Sequence, residues 1–243
     1  MKEASTLLLF DIDGTLVDTG GAGLVSLEAG FFEAFPGCFG TSFPPLELGG
    51  ATDSGVVMSL FEHFGLVDTT EHRRRFYQCY TESLSFHLRQ FSIEGRGYVL
   101  PGVKELLNVL SGDDSQELAV LTGNVQAGAW IKLRHFDLDH YFTHGAFGCD
   151  HHDRNQLGPI ARERALQACG RDFPPERIVV IGDTPKDIAC ARALGAGVIA
   201  VATGAATRKE LEAACPDALL DDFSDTEGVL IALAELIRSA GPR

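Results

Sequence analysis

No apolar run in this sequence approaches the thickness of a bilayer, which argues against a transmembrane helix and a membrane partner. Positive charge is scarce: 20 Lys and Arg stand against 34 Asp and Glu, a net charge of −14. Nucleic acids and anionic lipid surfaces need a basic face, so neither is expected as a partner. Cysteine pairs are missing too. Cys38, Cys79, Cys149, Cys169, Cys190 and Cys215 are scattered, with no Cys-x-x-Cys among them. That spacing predicts reduced thiols in a cytoplasmic protein, not a disulfide framework. The apolar run Leu7–Phe10 is too short for a signal peptide. No Gly-x-x-x-x-Gly-Lys loop occurs, so a nucleotide-driven motor is not expected. A small anionic substrate stays open, because local charge and a metal ion govern a site.

The 243 residues, 45% apolar and 22% charged, suit a soluble globular enzyme of one large or two modest domains. The chain is organised around Leu7-Leu8-Leu9-Phe10-Asp11-Ile12-Asp13-Gly14-Thr15. Four apolar residues read as a buried strand, and Asp13-Gly14 as a turn. Side chains alternate along an extended chain, so Asp11 and Asp13 point the same way. Carboxylates that close repel and call for a cation or a shared proton.

Helices then follow without a strand. Leu24, Leu27, Phe31, Phe32 and Phe35 recur at helical spacing over residues 22–35, until Pro36-Gly37. After a loop over 40–50, Thr52 or Asp53 can cap a helix carrying Val56, Val57, Leu60, Phe61 and Phe64. Phe76, Tyr80, Leu84 and Leu88 mark a third, over about 70–91. Beyond residue 96 strands and helices alternate. Pro101 opens a short helix; strands are expected at 117–121, 142–147, 178–181, 197–202 and 218–220. Thr207-x-x-Glu210 and Ser224-x-x-Glu227 read as capping boxes, and Gly170 and Gly195 as helix stops.

This alternation predicts an α/β fold: a three-layer, Rossmann-like parallel sheet core with a small all-helical domain inserted in it. The expected bounds are 1–18 and 96–243 for the core and 19–95 for the helices. Ligands of such sheets bind beyond the carboxyl ends of the strands. Asp11/Asp13, Thr122/Asn124 and Asp183 all fall at those ends, though far apart in sequence.

Strand–Asp11-Ile12-Asp13-Gly14-Thr15, strand–Thr122-Gly123-Asn124 and strand–Gly182-Asp183-Thr184-Pro185-Lys186-Asp187 together resemble the haloacid dehalogenase superfamily of phosphotransferases. The resemblance covers essentially the whole chain, and makes 19–95 a helical cap. It implies that Asp11 is the nucleophile, attacking phosphorus to give an aspartyl-phosphate. Asp13 would be general acid and then base, and Thr15 would support the loop. Thr122, Gly123 and Asn124 would bind phosphate. Asp11, Asp13 through its carbonyl, Asp183 and Asp187 would hold Mg²⁺, with Asp187 as a ligand or standing behind one. Thr184-x-x-Asp187 would also make an ordinary helix cap.

The family's basic residue, usually Lys, has no counterpart in a Lys-Pro segment before Ile178. Arg154 matches best in position and would bind phosphate and assist catalysis; Arg162, Lys186 or a cap arginine are alternatives. Asp13 argues against a true haloacid dehalogenase, and Thr15 favours a phosphatase over a hexose-phosphate mutase. Gly49-Gly50-Ala51-Thr52-Asp53 and the layout resemble phosphoglycolate phosphatases. The implied activity is Mg²⁺-dependent hydrolysis of a small phosphorylated metabolite, phosphoglycolate or similar, by a monomer or homodimer. Thr52 and Asp53 are candidates for substrate choice from the cap, with helix capping as an equal reading. A phosphomutase, a phosphonate-cleaving relative or a non-catalytic phosphate-binding protein are the alternatives.

Other patterns carry less. Cys149-Asp150-His151-His152-Asp153 lacks zinc-ligand spacing and reads as a solvated loop near the site mouth. His140, His144 and the Arg73–Arg75 run read as surface. Gly195-x-Gly197-x-x-Ala200 follows a helix and precedes a strand, the reverse of a dinucleotide-binding context.

Overall fold

The computed structural model of the chain describes residues 5–46 and 48–239. The outer limits of the expected core, at 1 and 243, lie outside them, as does position 47 of the expected loop. The first strand, β1 (Thr6–Phe10), is followed by β2 (Val17–Asp18) and, after three helices, by β3 (Tyr98–Val99). Then come β4 (Gln116–Leu121), β5 (Gly145–Ala146), β6 (Ile178–Gly182), β7 (Gly197–Val201) and β8 (Ala218–Leu220). Six of these form one parallel sheet, in the order β5-β4-β1-β6-β7-β8.

The apolar run of β1 is continuous because both faces of the sheet are covered. Leu8 and Phe10 join one buried layer and Leu7 and Leu9 the other. Val179 and Ile181 of β6 follow the first pair, Ile178 and Val180 the second. Helices α4 (Val103–Ser111), α5 (Gln126–His135) and α9 (Thr226–Ser239) cover the first face. Helices α6 (Leu157–Cys169), α7 (Pro185–Leu194) and α8 (Arg208–Ala213) cover the second. The expected α/β fold is therefore present.

Helices α1 (Ala22–Ala34), α2 (Asp53–His63) and α3 (Thr70–Ile93) enclose a third apolar cluster, around Phe31, Phe61, Phe76 and Tyr80. Gly30 is where α1 meets α3: a Cβ there would lie 2.7 Å from the Tyr80 backbone. Val125, at the start of α5, completes this cluster from the sheet side. Strands β2 and β3 pair antiparallel and bring together the two chain passages between helices and sheet. No helix among the described residues is long and apolar enough to cross a membrane.

Several local expectations need correction. The strand expected over 142–147 is only β5, because Asp139–Tyr141 forms a 3₁₀ turn and Phe142 packs edge-on against Phe10 at 5.9 Å. His144 is not on the surface: its side chain is 9% exposed, beside Glu117. Pro101 precedes α4 instead of opening it. Gly102 caps that helix with φ 76°, and a Cβ there would lie 1.9 Å from the Phe223 carbonyl oxygen. Thr207 and Glu210 do form a capping box, but Ser224 does not cap α9. The helix begins one residue later, and Asp225 Oδ1 accepts the Gly228 N–H at 3.0 Å. Asp225→Ala should therefore cost about 1 kcal/mol in urea denaturation, with Ser224→Ala near neutral. The reverse order would restore the Ser224 cap.

Candidate active site

The acidic turn is built by β1 running past the sheet. Asp11 N–H still bonds the Ile181 carbonyl at 2.9 Å; the chain then folds back, with Leu16 and Val17 N–H groups on the Ile12 carbonyl. Gly14 makes the turn with φ 79° and is required twice over. A Cβ there would lie 2.4 Å from Asp183 Oδ2. The end of β6 is thus pressed against the end of β1. Thr15 Oγ1 donates to Asp183 Oδ1 at 3.1 Å and so ties the two strand ends together.

Asp187 comes from the first turn of α7. Its Oδ2 accepts from Thr184 N–H at 3.0 Å and from Thr184 Oγ1 at 2.6 Å, completing a capping box. Its Oδ1 accepts from Arg154 Nη2. Helix capping and a place in the acidic cluster are therefore not alternatives. Arg154 lies in a 3₁₀ turn before α6, 5% exposed, with Nη2 also 3.2 Å from Asp11 Oδ2. Arg162 instead pairs with Asp172 at 2.9 Å, away from the site, and Arg73 and Arg74 pair with Asp68 and Glu71.

Carboxylate oxygens of Asp11, Asp183 and Asp187 lie within 4.8 Å of one another, all buried. One guanidinium faces three carboxylates, so burial leaves an excess of negative charge. Burial pushes the Asp11 carboxyl up to about 6, although Arg154 pulls it back. Burial, then the charges of Asp187 and Asp11, holds Asp183 well above the usual carboxylate range. Burial alone would discharge Arg154, but Asp187 and Asp11 outweigh it and hold the guanidinium protonated. A hard divalent cation fits this donor set, since it would offset the burial, and then the mutual repulsion, that raise both aspartates. Asp11 and Asp183 are the better placed to meet it; both oxygens of Asp187 already accept hydrogen bonds.

The third strand end, after β4, carries Thr122, Gly123 and Asn124. Thr122 Oγ1 accepts Asn124 Nδ2 at 2.8 Å, and Asn124 Nδ2 also reaches Asp13 Oδ2 at 2.7 Å. Sequence reasoning missed Lys132. Its Nζ lies 2.7 and 2.6 Å from the two Asp13 oxygens and 2.6 Å from Asn124 Oδ1. The signal was a lysine on the buried stripe of α5, with Gly128, Ala129 and Leu133.

Thr52 and Asp53 dock the helical unit on the strand-end loops. Thr52 caps α2, accepting Gly55 N–H at 3.2 Å, and donates to the His152 carbonyl at 2.7 Å. Asp53 N–H reaches the Gly123 carbonyl at 2.7 Å and its Oδ2 accepts Val125 N–H at 2.8 Å. Burial pushes Asp53 up to about 6, with the Val125 N–H and the Lys132 charge pulling it down. Ser54 Oγ donates to the Gly148 carbonyl. The loop read as solvated and near the site mouth thus also meets the helical unit, through the His152 carbonyl and the Thr52 hydroxyl. Between unit and sheet is a cavity of about 390 Å³, lined by Asp11, Asp13, Thr122, Asn124, Arg154 and Asp183 among others.

A family model for haloacid dehalogenase-like hydrolases matches residues 6–195. The chain is 30% identical over 234 residues to "Probable phosphatase IndB" of Dickeya dadantii, covering 96% of each. It is 28% identical to "Phosphoglycolate phosphatase" of Agrobacterium fabrum, over 92% of this chain and 91% of that protein. Among solved structures, one from Bacteroides vulgatus whose name includes beta-phosphoglucomutase shares the fold. It superposes with a TM-score of 0.66 at 22% identity, over 97% of this chain and 91% of that one.

Proposed function

We propose that this chain, which belongs to the haloacid dehalogenase-like hydrolases, is a Mg²⁺-dependent phosphatase that cleaves a small phosphomonoester through an aspartyl-phosphate on Asp11. The observation that carries this reading is the buried meeting of Asp11, Asp183 and Asp187 around one arginine, beside the Thr122–Asn124 turn. The phosphatase names of the relatives support it.

In this reading an Asp11 oxygen attacks phosphorus, and the bond to the leaving oxygen breaks. Arg154 draws charge from the phosphoryl oxygens and orients Asp11. Thr122 and the Gly123 amide cradle the same oxygens, with Asn124 bracing Thr122. Asp13 gives its proton to the leaving alkoxide, then takes one from the water that cleaves the acyl phosphate. Lys132 and Asn124 hold the Asp13 carboxyl for both steps. Asp11 and Asp183, with the Asp13 carbonyl, would hold Mg²⁺, whose positive charge when bound lowers the repulsion between phosphoryl group and attacking carboxylate. Asp187 fixes Arg154 from behind. Residues 19–95 serve as a cap over a core of 1–18 and 96–243, pinned through Thr52 and Asp53, and shield the reaction from bulk water. The free cysteines suit a cytoplasmic setting.

Hydrolysis of p-nitrophenyl phosphate tests the reading. EDTA should abolish turnover, Mg²⁺ should restore it, and Asp183→Asn should respond only to much higher Mg²⁺. Turnover indifferent to EDTA would contradict it.

A further inference from the structure

Resting on the phosphatase reading, we propose that the alcohol part of the substrate is uncharged or cationic, partly apolar, and bears no second anionic group. The two ends of the cavity differ in charge. Among its described lining residues the cations are Lys132 and Arg154. Both already hold carboxylates at the phosphoryl end: Lys132 those of Asp13, Arg154 those of Asp187 and Asp11. The wall supplied by the helical unit and its linker has Leu24, Leu27, Leu48, Val56 and Tyr80 among its side chains, with Asp18 and Asp53 as its charged residues. No described lysine or arginine of that unit lines the cavity. Arg96, the nearest by sequence to the linker, bonds the Gly20 carbonyl at 2.6 Å and stacks on Phe91. Lys186 lines a neighbouring cleft with Thr52 and His152.

A carboxylate or second phosphate placed against this wall would lose water and face two carboxyls, and the one cation near it, Lys132 beside Gly23, is already held by Asp13 and Asn124. A short alkyl group would bury against the leucines, and an amine would find the carboxyls. The same charges disfavour a bisphosphate, and with it a sugar phosphomutase.

The test compares ethyl phosphate, phosphoethanolamine and phosphoglycolate, which are alike in size. With Mg²⁺, kcat/KM for the first two should exceed that for phosphoglycolate by about a hundredfold or more. In Asp11→Asn, calorimetry should show ethyl phosphate bound more tightly than phosphoglycolate, so that the preference is seen without turnover. Leu24 is 45% exposed on the cavity wall, so Leu24→Arg should fold and narrow the ratio about tenfold or more. EDTA-sensitive turnover that favours phosphoglycolate would overturn the proposal and leave the phosphatase reading standing. No EDTA-sensitive turnover of any of the three, nor of p-nitrophenyl phosphate, would remove both.

Discussion

Asp11→Asn should lower kcat by about four orders of magnitude or more, while making the metal-free protein more stable at neutral pH. The loss follows because an amide oxygen cannot serve as the nucleophile, whatever the surrounding donors do. The gain follows from burial. The Asp11 carboxyl is raised to about 6 in the folded chain, above its ordinary 3.8. A group raised on folding contributes stability that is complete below the unfolded value and is lost as pH climbs through the folded one. The metal-free protein should therefore weaken between about pH 4 and 6, by about 2–3 kcal/mol from this group. Asn carries no charge at any pH and escapes that loss. Urea denaturation in EDTA should show the variant ahead at pH 7.5 and level with the parent near pH 3.5. Saturating Mg²⁺ should stabilise the parent far more than the variant. A variant less stable than its parent in EDTA at pH 7.5 would mean that burial does not oppose the Asp11 charge.

The second large effect is an asymmetry between two partners of one ion pair. The Lys132 side chain is 4% exposed and that of Asp13 is 40% exposed. Removing a partner is costly when the charge left behind is buried. Asp13→Asn leaves an ammonium against the apolar stripe of α5, with Asn124 Oδ1 as its remaining hydrogen-bond partner and the Asp53 charge nearby. It should cost about 3 kcal/mol or more. Lys132→Met fills the same stripe with an apolar chain, and the Asp13 carboxylate can turn to water; about 1–2 kcal/mol is expected. The double variant should then be more stable than Asp13→Asn alone. Activity should follow a different order. Asp13→Asn removes the proton carrier, whereas Lys132→Met leaves it held by Asn124 alone and should lower kcat about a hundredfold with KM little changed. Equal stability losses for the two single variants would mean that the pair is exposed at both ends.

The contrast between Asp11 and Lys132 also shows what could be read in the sequence. Asp11, Thr122 and Asp183 were legible because each ends an apolar run, and runs buried on both faces, as in β1 and β6, are the marks of a parallel sheet. Arg154 was legible by position. From the sequence Asp187 reads as a cap or as a site residue, yet a carboxylate has two oxygens, and here one serves Thr184 and the other Arg154. Lys132 was missed because a lysine on a helix reads as solvated until the packed face is known. The β2–β3 ribbon has two residues on each side, too few for any periodicity. His144 gave no local hint of its contact with Glu117, which belongs to a strand paired across the sheet. Pairing of that kind is set by the tertiary fold.

One measurement bears most directly on Asp11 as phosphoryl carrier. The protein is mixed with ³²P-labelled ethyl phosphate and Mg²⁺, quenched in acid within milliseconds, digested and mapped. Label should appear on the peptide containing Asp11, survive acid, be released by hydroxylamine, and be absent from Asp11→Asn. Label on a different residue, or rapid turnover with no labelled peptide at any time, would contradict the account.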